Sequence, residues 1–206
     1  MTNLPSRRAT CAACLRAQSA CICRFVTPLA SQVELLVLQH PLEVHNAKNS
    51  ARLLHLCLPG SRLLVGETFS VAELDTVLYE GARRPLLLYP HTPGEAALGL
   101  PSPPSLDPAL LGSPERLRLV LLDATWRKSR KMLYVNRLLH ALPRLALQEL
   151  PPSAYRIRKA HAPDQLSSLE AAAYALARLE NRPERYKPLL DGFDGFVEQQ
   201  SRLFRA

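Results

Sequence analysis

The sequence predicts an α/β protein built on an open, mainly parallel sheet with helices on both faces, preceded by a small cysteine-bearing segment. Two observations carry the sheet. Short apolar runs of strand length alternate with amphipathic stretches of helical period, and several of the runs end at a polar or turn residue, as buried parallel strands do. A third carries the segment: four of the five cysteines fall at Cys11, Cys14, Cys21 and Cys23.

From the N-terminus, those cysteines form Cys11-x-x-Cys14 and, after six residues, Cys21-x-Cys23. Two close thiol pairs can close a tetrahedral shell around zinc, and with all four positions filled by protein the metal is structural. The second pair is tighter than the usual two-residue spacing; a redox pair or scattered buried thiols are the alternatives. This divides the chain into residues 1–30, the metal-binding segment, and 31–206, the α/β domain. Residues 33–39 read as a buried strand ending at His40-Pro41, and 49–58 as an amphipathic helix stopped by Pro59-Gly60. A short strand over 62–65, a helix over 71–79 and a strand over 85–89 follow. Residues 91–114 form a Pro- and Gly-containing loop, long enough to be a lid, a binding loop or a disordered insertion. A strand over 118–123, a helix over 127–140, a strand over 145–148 and a helix over 165–180 complete the alternation. The last helical region, 183–204, is expected to break at 191–195, where two glycines fall. Cys57 lies in an apolar run and reads as a small buried hydrophobe.

The chain has 206 residues, with 26 Lys and Arg against 18 Asp and Glu, a net charge of +8 that favours polyanionic partners. The excess is concentrated between Arg127 and Lys159, where Glu149 is the one acid. No apolar run is long enough for a membrane span, and no apolar stretch follows the basic N-terminal residues as a secretory signal requires. A soluble cytoplasmic protein is expected. Neither the dinucleotide-binding glycine fingerprint nor a P-loop is present.

The most informative stretch is Val120-Leu-Leu-Asp123-Ala-Thr125-Trp126-Arg127-Lys128-Ser-Arg130-Lys131. An apolar strand delivers a carboxylate to the start of a basic helix, and open α/β sheets bind ligands at that end. A helix-capping Asp is the structural alternative. Trp126 is the single tryptophan; an aromatic beside lysines and arginines suits a nucleotide or nucleic acid, although core packing and a solvated face explain the same residues.

Several separated motifs resemble the DTW-domain tRNA-uridine aminocarboxypropyltransferases: Asp123-x-Thr125-Trp126, Arg127-Lys128-x-x-Lys131-Met132, His40-Pro41-x-Glu43, Lys48-Asn49-Ser50-x-Arg52-Leu53, Leu88-Tyr89-Pro90 and Tyr155-x-Ile157-Arg158-Lys159. The N-terminal cysteine pattern matches as well. Ala124 stands where many members have Gly, and Asn46-Ala47 and Ala51 also depart from the common pattern. The resemblance implies a SPOUT-like fold with a C-terminal knot, S-adenosylmethionine as co-substrate, and transfer of its 3-amino-3-carboxypropyl group to N3 of a tRNA uridine. It further implies Asp123 as catalytic base. Leu88, Tyr89, Pro90, Thr125, Trp126, Ser167, Ser168 and Leu169 are then expected at the adenosylmethionine pocket. His40 is expected to bind substrate, the helix start at Asn49 and Ser50 with Arg52 to hold a carboxylate or a phosphate, and Arg127, Lys128, Arg130, Lys131, Arg156, Arg158 and Lys159 to bind tRNA phosphates. An RNA methyltransferase and a non-catalytic RNA-binding protein are the alternatives. A monomer without membrane contact is the expected state.

Overall fold

The computed structural model describes residues 9–90, 101–148, 151–155, 157 and 166–204. Strands β1 (Glu34–Gln39), β2 (Arg62–Val65), β3 (Arg84–Leu88), β4 (Leu117–Asp123) and β5 (Arg144–Leu145) form one sheet in the order β2-β1-β4-β3-β5. Every pairing is parallel. All the strands therefore point their C-terminal ends the same way, and the central register aligns Gln39 of β1 with Asp123 of β4.

Side-chain alternation along the strands divides the core into two layers. Leu35, Val37, Leu86, Leu88, Leu119 and Leu121 pack on helices α1 (Ala51–Cys57), α4 (Ser168–Leu179) and α5 (Lys187–Leu203). Leu36, Leu38, Leu87, Val120 and Leu122 pack on α2 (Val71–Tyr79) and α3 (Trp126–Val135). Burial on both faces is why these strands read as unbroken apolar runs. At the opposite end of the sheet Arg118, 2% exposed, is satisfied by Glu34 Oε1 and the carbonyls of Val77 and Glu80.

Local signals set the helix boundaries. Ser70 caps α2 by accepting from Glu73 N, and Ser167 with Glu170 forms a reciprocal capping box at α4. The helix expected over 127–140 stops at Val135 because Asn136 turns its side chain onto Met132 O, Glu67 O and Phe69 N; a 3₁₀ turn, Arg137–Ala141, follows. The strand expected over 145–148 is only Arg144–Leu145. Of the long loop, 91–100 lie outside the described residues, and the remainder holds two 3₁₀ turns, Pro108–Gly112 and Pro114–Arg116.

The expected break at 191–195 is absent: α5 runs through it. Its glycines serve close packing instead. A Cβ on Gly192 would lie 2.5 Å from Phe25 O, and one on Gly195 2.7 Å from Phe25 Cε1. The cysteine segment thus seats directly on the helix backbone, and Cys14 and Ile22 enter the same core as α1, α4 and α5. Gly192→Ala is expected to lower stability by about 1–3 kcal/mol through overpacking, despite a gain of up to about 1 kcal/mol in helix propensity. Chemical denaturation that gave the variant a wild-type or higher midpoint would contradict this packing role.

Candidate active site at the strand ends

Asp123 is the last residue of β4 and is 3% exposed. It does not cap α3, whose N-cap is Thr125. Its partners are side chains from three other elements: Oδ2 accepts from Gln39 Nε2 at 2.8 Å and Asn49 Nδ2 at 2.6 Å, and Oδ1 accepts from Ser168 Oγ at 2.6 Å. Burial pushes its pKa up, the three hydrogen bonds pull the other way, and the charge of Glu43 adds to the rise. A carboxylate offers about four acceptor positions. Three are used, so one position on Oδ1 remains for a further proton.

The neighbours of Asp123 are fixed in turn. Asn49 Oδ1 accepts from Arg52 N, Ser50 Oγ accepts from Leu169 N, and the Ser167 hydroxyl is occupied in capping α4. Of the three residues at 167–169, Ser168 touches Asp123, while Ser167 and Leu169 hold α4 against it. His40 accepts from Leu42 N at Nδ1, which leaves Nε2–H to donate to Glu67 Oε1 at 3.1 Å. Around the ends of β3 and β4, Tyr89 and Trp126 meet edge to face with centroids 5.9 Å apart, and the Arg144 guanidinium lies over Tyr89. Leu88 and Tyr89 are buried, Thr125 is half-buried, and Pro90 and Trp126 are exposed.

Cys11, Cys14, Cys21 and Cys23 place their sulfurs within 4.8 Å of one another. Cys11–Cys23 and Cys14–Cys21 are 3.6 Å and 3.8 Å apart; a tetrahedral zinc–thiolate shell with bonds of about 2.3 Å needs sulfurs about 3.8 Å apart. The donor set can therefore hold a metal ion. The Cys11 thiol is lowered to about 6, chiefly by backbone N–H groups of Cys14 and Ala13, while Cys23 is pushed up to about 12, chiefly by burial. Cys57 is buried and stands apart from the cluster. Two arginines latch the segment to the site: Arg16 donates to Ala47 O and Asn49 O, and Arg52 donates to Ala13 O.

Comparison with known proteins places these residues in a family. The DTW domain matches residues 8–201. The chain belongs to the DTW-domain family. Curated relatives named tRNA-uridine aminocarboxypropyltransferase 2 include those of Macaca fascicularis, 33% identical over 84% of this chain and 57% of the relative, and Mus musculus, 34% identical over the same shares. A Drosophila melanogaster relative of that name is 31% identical over 97% of this chain and 82% of its own length. The chain thus spans little more than half the length of the two mammalian relatives. No solved structure matches it.

Within the DTW domain, α3 continues from the Thr125-Trp126 turn as an exposed basic face. Trp126, Arg127, Arg130, Lys131 and Tyr134 line a shallow depression. Lys128 pairs with Glu43 at 3.6 Å and Lys131 with Glu67 at 2.8 Å, whereas Arg127 and Arg130 form no ion pair among the described residues. Arg156, Arg158 and Lys159 lie outside the described residues. No helix among the described residues is long and apolar enough to cross a membrane.

Sequence reasoning missed Gln39 and Glu67 as parts of this site and gave Glu43, present in the His40-Pro41-x-Glu43 motif, no role of its own. For Gln39 a signal existed: it ends the apolar run of β1 as Asp123 ends that of β4. Glu67 offered none, because a surface acid in a turn has no visible partner before folding.

Proposed function

We propose that this protein transfers the 3-amino-3-carboxypropyl group of S-adenosylmethionine to N3 of a uridine in tRNA and releases 5′-methylthioadenosine. The observation that carries the reading is the hydrogen-bonded, buried Asp123 at the sheet's C-terminal end in a chain of this family. Adenosylmethionine supplies the electrophilic carbon: the N3–C bond forms as the sulfonium–carbon bond breaks. The N3 proton must then leave, and Asp123 is the residue to receive or orient it. Burial raises its basicity, and Gln39, Asn49 and Ser168 fix its direction, which favours alignment of the reacting atoms.

Leu88, Tyr89, Pro90, Thr125 and Trp126 form the wall for the adenosine part, with Ser168 reaching it beside Asp123. Zinc occupies the four cysteines as a structural ion, for which the sulfur spacing is suitable. The reading includes a SPOUT-like knotted C-terminal segment and a cytoplasmic enzyme; the all-parallel order, with β4 between β1 and β3, gathers the loops around Asp123 at one end of the sheet. Mass spectrometry of tRNA nucleosides and of the coproduct tests the chemistry. Methylthioadenosine and an aminocarboxypropyl-uridine are expected, whereas S-adenosylhomocysteine with a methylated base would establish a methyltransferase.

The tRNA lies along α3, with Arg127 and Arg130 on phosphates and Trp126 and Tyr134 available for stacking. Replacing Arg127 and Arg130 together by Ala is expected to reduce the salt-dependence slope of tRNA binding by about 2 units, one per lost phosphate contact. The Lys128 and Lys131 pair should change it less, since each already has a glutamate partner. Equal slopes for the wild type and the arginine variant would move the RNA off this helix.

A further inference from the structure

A cleft of about 350 Å³ lies between the cysteine segment and the C-terminal ends of β1 and β2, a volume within the range of small-molecule sites. It borders the Asp123 network through Gln39 and Asn49, which line it. Its lining contains two guanidinium groups, Arg16 and Arg52, and no carboxylate. An anionic group is therefore favoured there.

The hydrogen-bond inventory narrows the ligand. Both amide atoms of Asn49 are engaged: Nδ2 donates to Asp123, and Oδ1 accepts from Arg52 N and, at 3.4 Å, from Gln39 Nε2. Asn46 is used by Glu43 and Lys48 N. Gln39 is different. Its Nε2 is fixed on the Asp123 carboxylate, and turning the amide over would set oxygen against oxygen. Its Oε1 accepts no hydrogen bond from any described residue. The Arg52 guanidinium, which lines the cleft, makes one hydrogen bond among the described residues, from Nη2 to Ala13 O, and its buried Nε has no partner, so it has donors to spare. The cleft thus offers a spare acceptor and a spare charged donor between apolar walls from Leu63 and Val65. That pairing is complementary to an α-amino acid: a carboxylate for the guanidinium and an ammonium for the amide oxygen.

We infer that this cleft holds the amino-acid end of adenosylmethionine, with Arg52 on its carboxylate and Gln39 Oε1 on its ammonium group. The inference rests on adenosylmethionine being the donor, as proposed above. It sets the cofactor across the sheet end, with adenosine at β3 and the tail at β1. Adjacent strands are about 4.8 Å apart, so the two are separated by roughly 10 Å, and β4 with Asp123 lies between them. Anchoring the tail rather than leaving it free presents the carbon chain, not the methyl group, beside Asp123. Arg52 and Gln39 are then the residues that decide which group is transferred.

Calorimetric binding of three compounds tests this: S-adenosylmethionine, its decarboxylated form and methylthioadenosine. The wild type is expected to favour adenosylmethionine over the decarboxylated form by roughly tenfold to a hundredfold, the reach of one charge-assisted hydrogen bond. Arg52→Met should erase that preference while leaving methylthioadenosine affinity in place; a merely structural Arg52 would weaken all three alike. Gln39→Leu supplies a second variant, expected to weaken adenosylmethionine but not methylthioadenosine. Equal wild-type binding of adenosylmethionine and the decarboxylated form overturns the inference without any variant, as does a full carboxylate preference in Arg52→Met. In both cases formation of aminocarboxypropyl-uridine would leave the proposed activity standing. Failure to bind adenosylmethionine at all would overturn both.

Discussion

Asp123→Asn is expected to lower the single-turnover rate of uridine modification by about 10²- to 10⁴-fold, the usual reach of general-base catalysis. The fold should survive. An Asn oxygen can accept from Gln39 and Asn49 on one side, and its amide nitrogen can donate to Ser168 Oγ on the other. Linkage has the same sense. The folded-state pKa of Asp123 is raised, so folding favours the protonated form, and that stabilisation is lost as the pH rises through the folded pKa. At neutral pH the wild type carries the cost of a buried charge that the Asn variant lacks, and the variant should be as stable or more so. Activity has the opposite dependence on protonation: it should fall on the acid side as Asp123 gains its proton, with an apparent pKa above that of an ordinary Asp. A wild-type rate in the Asn variant would remove Asp123 from the chemistry and leave positioning as the source of the rate.

Cys14→Ser is expected to abolish stoichiometric zinc binding and to lower the unfolding temperature markedly. Cys14 is 1% exposed and lies inside the core that holds α1, α4 and α5, so losing the metal there releases more than a surface loop. Binding energy at structural zinc sites, about 10–16 kcal/mol in small zinc peptides, is folding energy. Only part of it should appear here, because Ile22 and the seat on α5 hold the segment as well. Cys57→Ala provides the control: the Cys57 thiol is raised by burial and lies outside the cluster, so metal content should stay unchanged. Equal zinc loss in the two variants, measured by elemental analysis, would place the metal elsewhere.

Strands β1, β3 and β4 were legible because they are buried on both faces. The runs ending at Gln39, Leu88 and Asp123 are apolar whatever register they adopt, so strand identity needs no tertiary information. β5 was overestimated because Leu145–Leu147 is apolar, yet only Arg144 and Leu145 find a partner on β3. In α5, glycine propensity argued for a break, and packing against Phe25 overrode it. Asp123 was visible as a carboxylate at a strand end, and Asn49 and Ser168 as separate candidate residues, whereas their contact with Asp123 was not. Gln39, Asn49 and Ser168 come from β1, the turn before α1 and the start of α4, and no local pattern announces that three such residues converge. The ion pairs of the α3 lysines were out of sight in the same way, since Glu43 and Glu67 reach them only after folding.

The seat of the cysteine segment on α5 also bears on how the chain is made. Phe25 meets Gly192 and Gly195, and Gln199 donates to Cys21 O across 178 residues of sequence. During synthesis the thiols leave the ribosome long before the helix that completes their surroundings. The nascent segment can take up metal early, but its docked position has to wait for α5, so the last large contact to form joins elements from opposite ends of the sequence. Such long-range closure slows folding. In the interval the thiols and the strand ends are open to solvent, and oxidation at that stage would reach Cys14 and the surroundings of Asp123, which the finished protein buries.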